Sequence, residues 1–248
     1  MRGRLEVYED GERLVEAAAA EIERAAREAI VARGRFTLVL SGGHTPRPLY
    51  RRLAAAPLEW SRVYFFWGDE RAVPPDHPDS NYGMARQELL EPVGARPEQV
   101  FRIPAEQPPE QAAAAYEDAL RKFFGLAPGQ WPVFDLVLLG LGADGHTASL
   151  FPGTPALAVT DRAVVAQFVP AVGAWRITLT LPVLNAARAV LFLVQGAEKA
   201  RALRAALVPE PGVEPVPAAR VAPASGRLLW LADRAAASLL ELRSEATP

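Results

Sequence analysis

Four short runs, F-T-L-V-L-S at 36–41, V-Y-F-F-W-G at 63–68, F-D-L-V-L-L-G at 134–140 and A-V-L-F-L-V-Q-G at 189–196, are apolar without the polar alternation of a half-exposed strand. Such strands must be covered on both faces, and the segments between them supply the cover. Residues 10–33 place Leu14, Ala18, Ile22, Ala25, Ala29 and Ile30 at helical spacing, with Gly34 where a helix cap belongs. P-R-P-L-Y-R-R-L-A-A-A at 46–56 opens with proline in the first turn. Y-G-M-A-R-Q-E-L-L at 82–90 and residues 110–124 read as further helices, and R-L-L-W-L at 227–231 leads into a last one, A-D-R-A-A-A-S-L-L-E-L at 232–242. Alternating buried strands and helices imply an α/β fold with a mostly parallel, doubly wound sheet. A-V-V-A-Q-F-V and W-R-I-T-L-T-L, joined by a P-A-V-G turn, add a small antiparallel element on one edge. The Pro-rich stretch 209–223 reads as a surface loop rather than a linker, so residues 1–248 are expected to form a single α/β domain.

Composition removes several function classes. A formal net charge of -2 and the absence of like-charge runs give no electrostatic basis for binding nucleic acid. Zero cysteines exclude disulfides, thiolate catalysis and thiolate-bound metal. The charged N-terminus has no apolar leader, and no run approaches the roughly 20 apolar residues of a membrane span, so a cytoplasmic protein without membrane contact is expected. A monomer or small homo-oligomer is expected.

In open α/β sheets ligands sit at the carboxyl ends of the strands. Four such ends carry chemistry. After the strand at 36–41, the S-G-G-H-T turn lets backbone N–H groups meet an anion, with hydroxyls from Ser41 and Thr45 beside Gly42 and Gly43. It lacks G-x-x-x-x-G-K-[ST] and G-x-G-x-x-G, which disfavours nucleotides and dinucleotides. Lys199 follows the strand at 189–196 and is one of only two lysines in a chain that otherwise uses arginine. An ammonium in the first turn of a helix opposes the helix dipole unless an anion joins it. In G-D-E-R, Arg71 offers a planar fork to phosphate, and Asp69 is a candidate base or acceptor for sugar hydroxyls.

The fourth end is L-G-A-D-G-H-T-A-S-L-F. Of three histidines, at 44, 77 and 146, His146 stands on the most constrained backbone. Gly142 and Gly145 permit a turn close to a ligand, with N–H groups available to an oxyanion, and Asp144 can orient the imidazole as carboxylates orient catalytic histidines. Asp144 and His146 alone are too few for a dedicated metal centre, and no metal is assigned. Trp67, Trp131 and Trp230 read as packing; Trp175 and Arg176 lie nearer the site, and Arg176 is a phosphate candidate.

L-S-G-G-H-T-P, W-G-D-E-R-A-V-P, D-S-N-Y-G-M-A, L-L-G-L-G-A-D-G-H-T-A-S-L-F-P and R-I-T-L-T-L-P-V-L-N-A-A occur in this order over roughly residues 5–240. They strongly resemble the 6-phosphogluconolactonases, whose fold, shared with glucosamine-6-phosphate isomerases, is a modified doubly wound, Rossmann-like sheet. The resemblance implies hydrolysis of 6-phospho-D-glucono-1,5-lactone to 6-phosphogluconate in the oxidative pentose phosphate pathway, with no obligatory cofactor. It makes His146 the general base, Arg71 and Lys199 phosphate-site cations, and Ser41, Gly42, Gly43 and Thr45 the phosphate loop. His44 departs from the family, where a small hydroxyl residue is common. Two alternatives stand beside this reading. An amino sugar phosphate isomerase or deaminase would use Asp69 to take a C2 proton, but the continuation T-A-S-L-F-P lacks the carboxylate expected after G-H. A noncatalytic sugar-phosphate sensor would carry a helix-turn-helix extension, for which a first helix starting by residue 10 leaves no room.

Overall fold

The computed structural model describes residues 3–240. Seven strands form one sheet in the order β1-β10-β9-β6-β2-β3-β5, and every neighbouring pair is parallel. In chain order these are β1 (Arg4–Tyr8), β2 (Phe36–Leu40), β3 (Val63–Trp67), β5 (Val100–Phe101), β6 (Leu136–Leu139), β9 (Ala189–Val194) and β10 (Arg227–Asp233). β2, β6 and β9 are buried at every position, as their unbroken apolar runs require. The order reverses between β2 and β6, so the loops after these two strands flank a topological switch point, where such sheets open a crevice.

Helix α1 (Gly11–Arg33) matches the 10–33 expectation. Asp10 caps it by accepting the Arg13 N–H at 2.9 Å, and Gly34 ends it at φ +73°. Its buried face is Leu14, Ala18, Ala19, Ile22, Ala25, Ala26 and Ala29, where each large aliphatic contributes about 1.5–3 kcal/mol. α2 (Pro46–Ala54), α4 (Pro109–Phe124), α5 (Leu181–Ala186) and α6 (Ala200–Leu207) complete the main cover. The 82–90 helix divides into α3 (Asn81–Ala85) and a wider π turn over Arg86–Leu90.

The expected antiparallel hairpin forms: β7 (Val164–Val169) pairs with β8 (Ala174–Leu179), in a separate three-stranded sheet of order β4-β8-β7. Its third member, β4 (Asp69–Arg71), lies past the end of the strand expected at 63–68, where Asp69, Glu70 and Arg71 pair antiparallel with Thr178, Ile177 and Arg176. No helix forms over 232–240: Ala232 and Asp233 end β10, and residues 234–240 make turns. There the Asp233 carboxylate accepts the Ala236 N–H at 2.7 Å and the Gly196 N–H at 3.1 Å, tying the chain end to the loop after β9. Residues 241–242 of that expected helix lie outside the described residues. Strands β1 and β5 had no counterpart in the sequence reading. Trp67 and Trp230 are packing residues, Trp230 stacking on Phe192 at 3.7 Å. No helix among the described residues is long and apolar enough to cross a membrane.

Candidate active site

The loops after β2, β3, β6 and β9 converge on a cleft of about 300 Å³, lined by Ser41, Gly42, Gly43, Thr45, Asp69, Arg71, Gly142, His146 and Lys199 among others. Nine of the twelve residues singled out from the sequence line this one cleft. The other two ring-loop residues, Asp144 and Gly145, sit behind His146, and Arg176 lines a neighbouring cavity instead.

The imidazole end is built first by backbone. Asp144 Oδ1 lies 2.6 Å from His146 Nδ1 and also accepts the His146 N–H at 3.0 Å. A carboxylate acceptor at Nδ1 keeps the proton of the neutral ring there and leaves the Nε2 lone pair free. Gly142 is required because a Cβ there would collide with His146 Nδ1 and Asp144 Oδ1. Gly145, at φ +83°, turns the chain into His146 and has Val216 packed against its Cα. Ala218 donates to the Gly145 carbonyl at 3.0 Å, so the Pro-rich surface loop supports the turn from behind. The Phe151 ring stacks on the imidazole, centroids 4.1 Å apart and planes 23° apart.

The expected oxyanion donors are already committed. The Gly142 N–H donates to the His146 carbonyl at 2.8 Å and the Gly145 N–H to the Gly142 carbonyl at 2.9 Å. These bonds fix the turn and withdraw both groups from any ligand. Beyond His146, Ala148 holds φ +47°, a left-handed conformation rare outside glycine, at the cleft wall.

The opposite end is left open. The buried Tyr50 hydroxyl accepts the Ser41 N–H at 2.9 Å and donates to its carbonyl at 2.6 Å, fixing the Ser41 backbone. The Ser41 hydroxyl has no partner among the described residues. Thr45 caps α2 with its backbone only, leaving its hydroxyl free. Gly43, at φ +95°, has open space above its Cα. Arg71 donates through Nη1 to the Asp79 carbonyl at 2.9 Å, while its buried Nε has no partner. Lys199 approaches only Glu198, at 4.0 Å. Burial, and next the neighbouring Arg71 charge, hold the Arg176 guanidinium below its usual proton affinity.

Between the two ends lies a polar bridge that the sequence did not reveal. Asp69 accepts the Ser149 Oγ–H at 2.6 Å, and Asn81 Nδ2 donates to the Asp69 carbonyl at 2.9 Å and to Oδ1 at 3.3 Å. Asn81 also fills the space that a side chain at Gly42 would need. Asn81 is set by Glu70, whose carboxylate accepts the N–H groups of Arg71, Asn81 and Tyr82, each at 2.8 Å, and the Ser80 hydroxyl at 3.1 Å. Burial pushes the Glu70 carboxyl above its usual range, and the three N–H bonds oppose that shift. The only sequence signal for Asn81 was its place in D-S-N-Y-G-M-A; a contact across eleven residues has no local periodicity. Glu198, also in the wall, carried none. Among the described residues no three His, Asp or Glu side chains group as a metal site.

The family described as glucosamine-6-phosphate isomerases/6-phosphogluconolactonase matches residues 9–230. The chain belongs to that family. Among other members, a 6-phosphogluconolactonase of Synechocystis is 46% identical over 224 residues, 90% of this chain and 92% of the relative. The human 6-phosphogluconolactonase is 43% identical over 220 residues, 86% and 84% of the two chains. The solved 6-phosphogluconolactonase from Trypanosoma cruzi superimposes with a TM-score of 0.88 at 31% identity, covering 97% of this chain and 98% of its own. The fold expected from the alternating strands is therefore the family's fold.

Proposed function

We propose that this chain hydrolyses 6-phospho-D-glucono-1,5-lactone to 6-phospho-D-gluconate, the lactonase step of the oxidative pentose phosphate pathway, as a single α/β domain working in the cytoplasm. The observation that carries the reading is His146: its Nδ1 is held by Asp144, and its free Nε2 shares a cleft with Arg71, whose guanidinium has no carboxylate partner among the described residues, and with Lys199, whose nearest carboxylate, Glu198, is 4.0 Å away.

The C6 phosphate is gripped by Ser41, Gly42, Gly43, Thr45, Arg71 and Lys199, with Arg176 adding positive potential from behind Arg71. Binding energy from this nonreacting group places the lactone carbonyl. His146 takes a proton from water through Nε2 as the water oxygen attacks C1. Asp144 stabilises the resulting imidazolium. The C1–O5 bond then breaks and the same proton passes to O5, giving the open-chain acid. The Gly142 and Gly145 N–H groups, being committed to the turn, do not supply the oxyanion donors. Asp69, which an isomerase would need as a base, has both carboxylate oxygens engaged by Ser149 and Asn81, and this favours hydrolysis.

The test is proton release on adding fresh phosphogluconolactone, measured above its spontaneous opening and beside the unphosphorylated lactone. Fast turnover of the phosphorylated substrate alone is expected. Equal rates on both would remove the phosphate anchor, and binding without turnover would make the protein a sensor.

A further inference from the structure

The base is gripped on three sides, and only one of these grips is polar. Asp144 fixes the ring in its own plane, the Cα of Gly142 lies against the Nδ1 edge, and Phe151 covers one face. Phe151 is 7% exposed, so this face of the imidazole is closed to water. At a 4.1 Å centroid distance and 23° between planes, the imidazole stands over the electron-rich face of the phenyl ring rather than its edge.

That geometry matters because the charge on the base changes during the reaction. A general base starts neutral; once His146 has taken the water proton it is a cation about 4 Å above an aromatic face, inside the roughly 6 Å range over which a ring quadrupole attracts a positive charge. The attraction exists only once the proton has moved. It therefore lowers the barrier without tightening the bound substrate.

We propose that Phe151 is a positioning residue for His146, and that its ring face stabilises the imidazolium formed as the base is protonated. The proposal rests on the reading of His146 as general base. It requires an aromatic face at position 151, not merely a buried apolar side chain.

The other charges near the imidazole are Asp144 on its own loop, Asp69 and Arg71 on β4, Glu198 and Lys199 ahead of α6, and the titratable His44 before α2. None of them is altered by substitution at 151, so a change in turnover reads the ring. Phe151→Leu keeps most of the apolar volume and removes the face. It is expected to lower kcat about tenfold while KM stays within about twofold, an effect of the size of a desolvated cation–aromatic contact. Phe151→Tyr is expected to restore kcat. If Phe151→Leu does not fold, Phe151→Met fills the same space with an unbranched chain and carries the same expectation. Wild-type kcat in Phe151→Leu or Phe151→Met would overturn the proposal, and so would a Phe151→Tyr protein that folds yet turns over as slowly as Phe151→Leu. Failure of the lactonase reading is separate: the unsubstituted protein would then not turn over the lactone at all.

Discussion

At the His146 end of the cleft the polar groups of the loop are bonded to one another: the N–H groups of Gly142, Gly145 and His146, the Thr147 hydroxyl to the Gly140 carbonyl at 2.9 Å, and the Ser149 hydroxyl to Asp69. At the Ser41–Thr45 end the reverse holds. Among the described residues two hydroxyls and the buried Arg71 Nε have no partner, and the Lys199 ammonium approaches a carboxylate only at 4.0 Å, from Glu198. Elsewhere many arginines of this chain find carboxylates, as Arg51 does with Glu88 at 2.6 Å and Arg102 with Glu106 at 2.7 Å. The contrast teaches that the two ends do different work. On the proposed reading, one is finished before substrate arrives and holds the base in place, and the other is to be completed by the ligand's own negative charge.

The largest expected effect breaks the finished end. His146→Ala should lower kcat by about 10³, within the usual contribution of a general base, with KM little changed. A wild-type kcat would remove His146 from the chemistry. The next effect breaks the open end. Lys199→Ala should raise KM by about 10- to 100-fold, the loss of one charged hydrogen-bonding partner, and leave kcat far less affected. A fall in kcat at unchanged KM would reverse the roles of the two ends.

The smallest effect sharpens the bridge between them. Because burial raises the folded-state proton affinity of Glu70 above its unfolded value of 4.5, the contribution of Glu70 to stability is full below that pH and is lost as pH rises through the folded-state value. The stability advantage of wild type over Glu70→Gln, read from urea midpoints, should shrink as the pH is raised above 4.5. An advantage that grows with pH would contradict the sign.

What could be read from residues alone follows from how local each signal is. α1 was legible with its cap because periodicity and Gly34 are both near-neighbour features. The sheet core was legible because a strand buried on both faces has no polar position to hide. β4 was not: D-E-R carries no apolar pattern, and it becomes a strand only because β8 lies beside it. The 232–242 segment has the composition of a helix, but the Asp233 carboxylate captures the Ala236 N–H and the Gly196 N–H at its start. In the site, the sequence singled out groups that the fold brings to one cleft, since glycine, histidine and lysine stand out at strand ends. It missed those that hold them. Asn81, Glu70 and Val216 act through contacts far along the chain, and the oxyanion role expected of Gly142 and Gly145 failed because hydrogen bonds that shape a tight turn consume its own donors.

The most direct test of the division between the two ends is calorimetric titration of 6-phosphogluconate into His146→Ala and into Lys199→Ala. His146→Ala should bind within about threefold of wild type, and Lys199→Ala at least about tenfold more weakly. Binding lost in His146→Ala and kept in Lys199→Ala would contradict the account.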